Sequence, residues 1–310
     1  MKSSAAFPSY IGLMKSGELA RRAGRAWAAM RSCRLCPRDC GADRIAGELG
    51  YCRIGKRAGV ASANLHHGEE PPISGTRGSG TIFFTGCNMS CRFCQNWPIS
   101  HLRHGETVTA ARLGRMMLGL QRMGAHNINL VTPSHVVPQF LAGLAVAAKE
   151  GLSLPIVYNS NGYEGMDALA LLDGVIDIYM PDMKYSTRES AGRCSLAADY
   201  WEHARPAVKE MYRQVGALRM DGDGIGVRGL LIRHLVLPGG LAGSEKVFEF
   251  IAKELSTDVP VNLMSQYFPA HDAVEDPLLG RRITRDEFKE AEAALLRHGL
   301  TEGWIQRIED

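Results

Sequence analysis

Three cysteines in one short segment are the most reactive feature of this 310-residue chain. Cys87, Cys91 and Cys94 lie in Gly86-Cys87-Asn88-Met89-Ser90-Cys91-Arg92-Phe93-Cys94-Gln95-Asn96. Thiolates are soft ligands that suit iron–sulfur clusters or zinc. A cube-shaped four-iron cluster held by three thiolates keeps one iron without a protein ligand, open to a substrate or cofactor. The plainer alternative is a structural zinc loop whose fourth ligand comes from elsewhere.

A second group, Cys33, Cys36, Cys40 and Cys52, lies upstream in a stretch dense in Cys, Gly, Arg and Pro. Such a stretch has no lasting hydrophobic period and folds around metal. Four thiolates satisfy tetrahedral zinc, and they equally satisfy a fully ligated iron–sulfur cluster. The sequence leaves zinc and a second 4Fe-4S cluster both open. Arg31, Arg34, Arg38, Arg44 and Arg53 surround the group. They either steer an acidic partner such as flavodoxin or form a solvated surface. In a reducing cytosol clustered thiols bind metal more often than they form disulfides. Cys194 stands alone and reads as a small buried hydrophobe.

The elements that must position these residues follow from periodicity. Short apolar runs predict six strands: 81–85, 127–131, 154–158, 175–180, 230–237 and 259–264. Helical periodicity falls between and after them, over 109–123, 136–149, 166–172, parts of 186–215, 244–255 and 284–297. Alternating strands and helices imply a parallel sheet with right-handed crossovers. Continuous apolar strands fit a sheet covered by helices. Periodicity alone leaves a doubly wound sheet and a β/α barrel both open. In either case a reactive site lies at the C-terminal strand ends, where the cysteine triplet falls. Residues 1–30 read as an amphipathic helical lead-in, 31–80 as a cysteine-rich metal-binding region with a connecting segment, and 81–310 as the α/β domain.

Composition excludes other classes. Hydrophobic residues make up 45% and charged residues 22% of the chain, which is ordinary for a globular protein. A net charge of +3 gives no support for nucleic acid or a membrane surface as a partner. No apolar run reaches bilayer length, and residues 1–30 lack a signal-peptide core, so a cytoplasmic location is the default.

The triplet, with Phe93 before its last cysteine, resembles the signature of the radical S-adenosylmethionine (SAM) superfamily. Further segments resemble a group related to pyruvate formate-lyase activating enzyme: Glu70-Pro71-Pro72-Ile73-Ser74-Gly75, His126 to Pro133, Tyr179 to Tyr185, and Arg233 to Gly239. The likeness runs from about Cys33 to the end of the chain. It implies a partial (β/α)6 TIM-like barrel. It implies that Cys87, Cys91 and Cys94 bind a 4Fe-4S cluster whose open iron is chelated by the amino and carboxylate groups of SAM. A flavodoxin or ferredoxin would supply one electron. SAM would then break into methionine and a 5′-deoxyadenosyl radical that abstracts hydrogen.

The resemblance also assigns roles to single residues. Relatives carry Gly-Gly-Glu-Pro after the second strand as a contact to the SAM amino group. Here the chain reads Leu130-Val131-Thr132-Pro133, which leaves Thr132 and nearby carbonyls as substitutes. Asn159-Ser160-Asn161-Gly162 resembles the family's polar turn and suits ribose hydroxyls or the SAM carboxylate, although Asn and Gly form turns in any protein. Asp182 and Lys184 share a strand face and carry over an Asp-x-Lys pair near SAM. They require pairing or water at the end of an apolar run. Lys184 joins the three cysteines as the catalytic set. Arg233 sits mid-strand and needs a carboxylate partner, a place the SAM carboxylate would fill. His234 faces the other way and is structural. Gln95 and Asn96 stand where activating enzymes often have His-Asn, and Tyr267 is a candidate pocket residue.

The first expectation is therefore an activase-like radical SAM enzyme acting on a protein or peptide, including a glycyl radical protein. Radical modification of a small metabolite or cofactor precursor is the second. A non-catalytic iron–sulfur or zinc electron carrier or scaffold is the alternative of another class.

Overall fold

The computed structural model describes residues 7–306. Its strands are β1 (Ala58–His66), β2 (Ser79–Phe84), β3 (Glu106–Val108), β4 (Ile128–Val131), β5 (Ile156–Ser160), β6 (Ile178–Pro181), β7 (Arg219–Met220), β8 (Gly226–Leu230), β9 (Ile232–Leu235), β10 (Val261–Met264) and β11 (Gly303–Ile305). Strands β2, β4, β5 and β6 lie side by side in parallel. β8 continues the parallel sheet beside β6. After a break at Leu231 the chain runs on as β9, which bridges to Asp182 and pairs in parallel with β10. Helices Ala110–Arg122, Val137–Lys149, Met166–Leu172, Arg188–Ser195, Tyr200–Val215, Ser244–Phe250 and Arg285–Arg297 separate or follow these strands.

Strand order settles the choice that periodicity left open. A doubly wound sheet reverses its order at a switch point, whereas here the parallel strands follow chain order from β2 to β10, as in a β/α barrel. Side chains show the curvature. Glu69, in the loop between β1 and β2, accepts hydrogen bonds from Asn129 on β4 at 3.1 Å and Asn159 on β5 at 3.4 Å. It also takes one from Arg233 on β9 at 3.4 Å. The next residue, Glu70, accepts from Asn262 on β10 at 2.7 Å. One loop can touch four strands of a single layer only if that layer wraps around it. The barrel is partial, because β1 and β3 extend one edge antiparallel and β11 extends the other.

The helix starts are set by local chemistry. Thr109 accepts a hydrogen bond from the Arg112 amide at 3.2 Å. Thr284 and Glu287 form a reciprocal capping box.

Several elements differ from the sequence expectation, among them the unpredicted short strands β3 and β11 and the break at Leu231 in the expected strand 230–237. The supposed connecting stretch carries the nine-residue β1, whose small residues have low strand propensity and are held by pairing with β2. Strands β7 and β8 form a hairpin around Asp221, whose carboxylate accepts from the amides of Asp223 and Ile225. The predicted third strand runs two residues further, so Asn159 and Ser160 lie inside β5. The lead-in is helical at Tyr10–Lys15 and Glu18–Ala29, and the second of these packs on Val137–Lys149. Residues 1–6 of the lead-in and 307–310 lie outside the described residues. No helix among the described residues is long and apolar enough to cross a membrane.

Glu164 is buried beneath the barrel wall, where its carboxyl takes hydrogen bonds from Ser134 and, at 3.0 Å, from Tyr158. Burial pushes its pKa from 4.5 up to about 7, and these hydroxyls restrain the rise. The folded state therefore holds the proton more tightly than the unfolded chain. The stability this contributes is full below 4.5 and is lost as pH rises through about 7. In urea titrations, wild type should lose up to about 3 kcal/mol more than Glu164→Gln between about pH 5 and pH 8. Parallel losses in the two proteins would contradict this.

Candidate functional site

The triplet follows β2 at the C-terminal end of the barrel. Gly86 makes the turn into it with φ +74°, and a Cβ there would lie 2.6 Å from the Cys52 carbonyl oxygen. Only glycine fits so close an approach. Each sulfur has a polar neighbour. Cys87 Sγ accepts from the Met89 amide at 3.3 Å and from Asn161 Nδ2 at 3.5 Å. Cys91 Sγ accepts from Ser195 Oγ at 3.0 Å, and Cys94 Sγ shares a hydrogen bond with Ser100 Oγ at 3.2 Å.

All three thiols line one cavity of about 390 Å³. Thr132, Asn159, Asn161, Asp182, Lys184 and Arg233 line the same cavity, so residues from four strand ends meet the triplet. Glu69 also lines it, as do Gln95, Asn96 and Gln266. Ser160 does not. Alternation along β5 turns it outward, where its hydroxyl accepts from the Gly162 amide at 3.2 Å.

The charges in the cavity form one network. Asp182 binds Lys184 Nζ at 2.6 Å and Arg233 Nε at 2.9 Å. Arg233 Nη2 donates to Asn159 Oδ1 at 2.8 Å, and Nη1 donates to Glu69. Burial alone raises the Asp182 carboxyl, but Arg233 and Lys184 more than offset it, and its pKa falls below the ordinary value. Burial works against the Lys184 ammonium, and Asp182 and Cys91 together hold it above its ordinary pKa. The partner expected for Arg233 was the SAM carboxylate. The structure gives it two protein carboxylates, so every guanidinium nitrogen is engaged.

Glu69 was missed by sequence reasoning. Its neighbour Glu70 opened a quoted segment, but no sequence signal tells that this loop turns into the barrel. Tyr267 turns away from the cavity. Its ring meets Phe93 edge-on at 5.5 Å between centroids, and its hydroxyl donates to the Leu279 carbonyl at 2.7 Å. It therefore braces the triplet loop. His234 is buried, bonded to the Met183 carbonyl and Ser244, as a structural residue would be. Cys194 is buried and lies outside the cavity lining. Trp97 packs near His271.

The segment from Gln266 to Ile283 is tied across the triplet loop. The Ala273 amide donates to the Arg92 carbonyl at 2.9 Å. Asp276 pairs with Arg92 at 2.7 Å and with Arg193 at 3.0 Å. Gln95 Nε2 donates to the Gln266 carbonyl at 3.1 Å.

The donor set fits an iron–sulfur cluster. Burial pushes the Cys87 thiol up to about 12, with Cys91 and Cys94 adding to the effect, and burial also raises Cys91. Three half-buried thiolates side by side need a compensating cation close by. No fourth cysteine lines the cavity. Among the described residues no set of three His, Cys, Asp or Glu side chains converges on a single metal ion.

The second group also comes together. Cys33, Cys36, Cys40 and Cys52 line one small cavity with Arg38, Arg44 and His135. All eight cysteines lie among the described residues as free thiols. Arg44 is not part of the surface: it is 1% exposed, with Nη1 donating to Cys33 Sγ at 3.5 Å and Nη2 to the Gly55 carbonyl.

No family model matches the chain. An uncharacterized protein of Methanocaldococcus jannaschii is 33% identical over 268 residues, covering 84% of this chain and 73% of that protein. Among solved structures, a radical SAM methyltransferase from Sphaerobacter thermophilus superposes with a TM-score of 0.47 at 14% identity, covering 73% of this chain and 65% of that one. HydG, a maturase of the FeFe-hydrogenase, gives 0.46 at 14% identity, covering 71% and 48%. Methylornithine synthase gives 0.45 at 13% identity, covering 96% and 78%. The chain thus spans less than two thirds of the first two structures.

Asp182 is the shared partner of two buried cations. Asp182→Asn should lower the unfolding free energy by about 3 kcal/mol, the scale for breaking a buried pair. Equilibrium denaturation measures this, and a change below about 0.5 kcal/mol would mean that the network is solvated.

Proposed function

The chain belongs to the same family as the Methanocaldococcus jannaschii protein, and we propose that it acts as a radical SAM enzyme. Cys87, Cys91 and Cys94 would hold a 4Fe-4S cluster and the adjoining cavity would hold SAM. One observation carries the reading: three half-buried thiols, with no fourth, face a cavity that polar residues from four strand ends also line.

When bound, the cluster supplies the electron that breaks the sulfonium–carbon bond, and one iron free to bind SAM. The chain's own residues do the rest. Arg233 spends three of its five N–H donors on Asp182, Glu69 and Asn159, so it holds the wall and keeps two donors for the SAM carboxylate. Lys184 spends one of its three N–H donors on Asp182 and lies close to Cys91. It is a second cation that meets a carboxylate at the cluster. Thr132 and Asn159 offer polar atoms on the facing wall. Asn161 donates to both Cys87 Sγ and Asn88 Oδ1 and so orients the first cysteine. The segment from Gln266 to Ile283 holds the triplet loop in place through Arg92 and Gln95.

Two substrate readings rest on different observations. Likeness of the segments around Glu70, Asp182 and Arg233 to activating enzymes supports an activase-like action on a protein or peptide. A cavity within the range of small-molecule sites supports a metabolite or cofactor precursor. Geometry favours the small molecule. Either way the donor is a flavodoxin or ferredoxin.

After anaerobic reconstitution, protein with SAM and dithionite should release 5′-deoxyadenosine, and Cys91→Ala should release none above background. Iron binding without deoxyadenosine release would contradict the reading and leave an electron carrier. Lys184→Met should raise the SAM concentration for half-maximal release about tenfold, about 1.4 kcal/mol. An unchanged concentration would remove Lys184 from the SAM site.

A further inference from the structure

We infer that Cys33, Cys36, Cys40 and Cys52 bind a second iron–sulfur cluster, not zinc, and that electrons enter the protein through it. The inference rests on the reading above only for where the electrons are used.

Four thiols line one cavity. Two guanidinium nitrogens of the same lining, Arg38 Nη2 and Arg44 Nε, are buried without a hydrogen-bond partner. Buried donors are almost always satisfied. A cluster adds bridging sulfides to the four cysteine sulfurs, and so gives such donors acceptors that a lone zinc ion does not bring. Hydrogen bonds to cluster sulfurs also tune its potential.

Placement supports a relay. The Cys52 carbonyl oxygen lies against Gly86, the residue before Cys87. Arg38 clamps the same junction. Its Nε donates to the Asn88 carbonyl at 2.7 Å and its Nη1 to the Leu196 carbonyl at 2.6 Å, with its guanidinium 3.8 Å from the centre of the Tyr51 ring. Cys40, Cys52 and Cys87 line a shared open cleft of about 930 Å³. Arg38, Arg53 and Arg103 line that cleft against one carboxylate, Glu48, and Cys40 is exposed. An acidic one-electron carrier protein fits such a surface, because complementary charge steers encounter. The carrier gives up one electron, the N-terminal site gains it, and the same electron passes across the Cys52–Gly86 contact. No bond is made or broken and no proton moves.

The test is metal and sulfide analysis with electron paramagnetic resonance on the anaerobically reconstituted full chain. Wild type should hold about eight irons, and both the variant Cys33→Ser with Cys36→Ser and the triple variant Cys87→Ser, Cys91→Ser, Cys94→Ser about four. If the first variant fails to fold, the triple variant decides alone. A reducible cluster in it supports the assignment, and stoichiometric zinc without iron overturns it. Neither result depends on SAM cleavage, so failure of the radical chemistry is seen separately. For the route, Arg53→Glu with Arg103→Glu should slow reduction by flavodoxin at least about tenfold relative to dithionite reduction of the same variant. An unchanged ratio overturns entry at this face.

Discussion

The ion pair between Arg233 Nε and Asp182 Oδ1, 2.9 Å long, joins β9 to the end of β6 at the point where the sheet must curve. Two charges inside a barrel are tolerated only when matched and hydrogen-bonded. Asn159 and Glu69 also hold the guanidinium, and Lys184 completes the carboxylate. This set draws together β5, β6, β9 and the loop between β1 and β2. It fixes the floor and one wall of the cavity, and the thiols face it from β2. Curvature, burial and the location of the site are therefore consequences of one requirement for charge compensation.

The cysteine-rich region before the barrel is a structural partner of the triplet and not an appendage. Gly86 lets the Cys52 backbone approach, and Arg38 ties Asn88 to Leu196. Arg44, buried at Cys33, holds the Gly55 carbonyl together with Gln139 on the outer helix. On the other side the segment from Gln266 to Ile283 closes over Arg92 and Gln95. The triplet loop has little regular structure of its own, and its order comes from these two braces.

Much of this was legible in the sequence, because much of it is local. The parallel strands announce themselves as apolar runs, Thr109 and Thr284 mark helix starts, and the spacing of Cys87, Cys91 and Cys94 stands out by residue type. Asp182 and Lys184 stand out as charges just past an apolar run, and they pair beyond the end of β6. Features set by tertiary contact were not legible. β1 has little strand propensity of its own and forms because β2 offers a ladder. Ser160 and Tyr267 stand in suggestive segments, but the strand's phase and the packing of Phe93 turn them away. Arg44 reads as one more surface arginine until burial places it at a sulfur. Glu69 reads as a loop residue until the barrel closes around it.

The account stands on an iron at the triplet that the protein leaves free for SAM. The most direct measurement is the electron paramagnetic resonance of the reduced triplet cluster, in the variant Cys33→Ser with Cys36→Ser, before and after SAM is added. The account predicts one cluster signal whose g values shift when SAM binds. A signal that SAM leaves unchanged, or a triplet loaded with zinc, would contradict it.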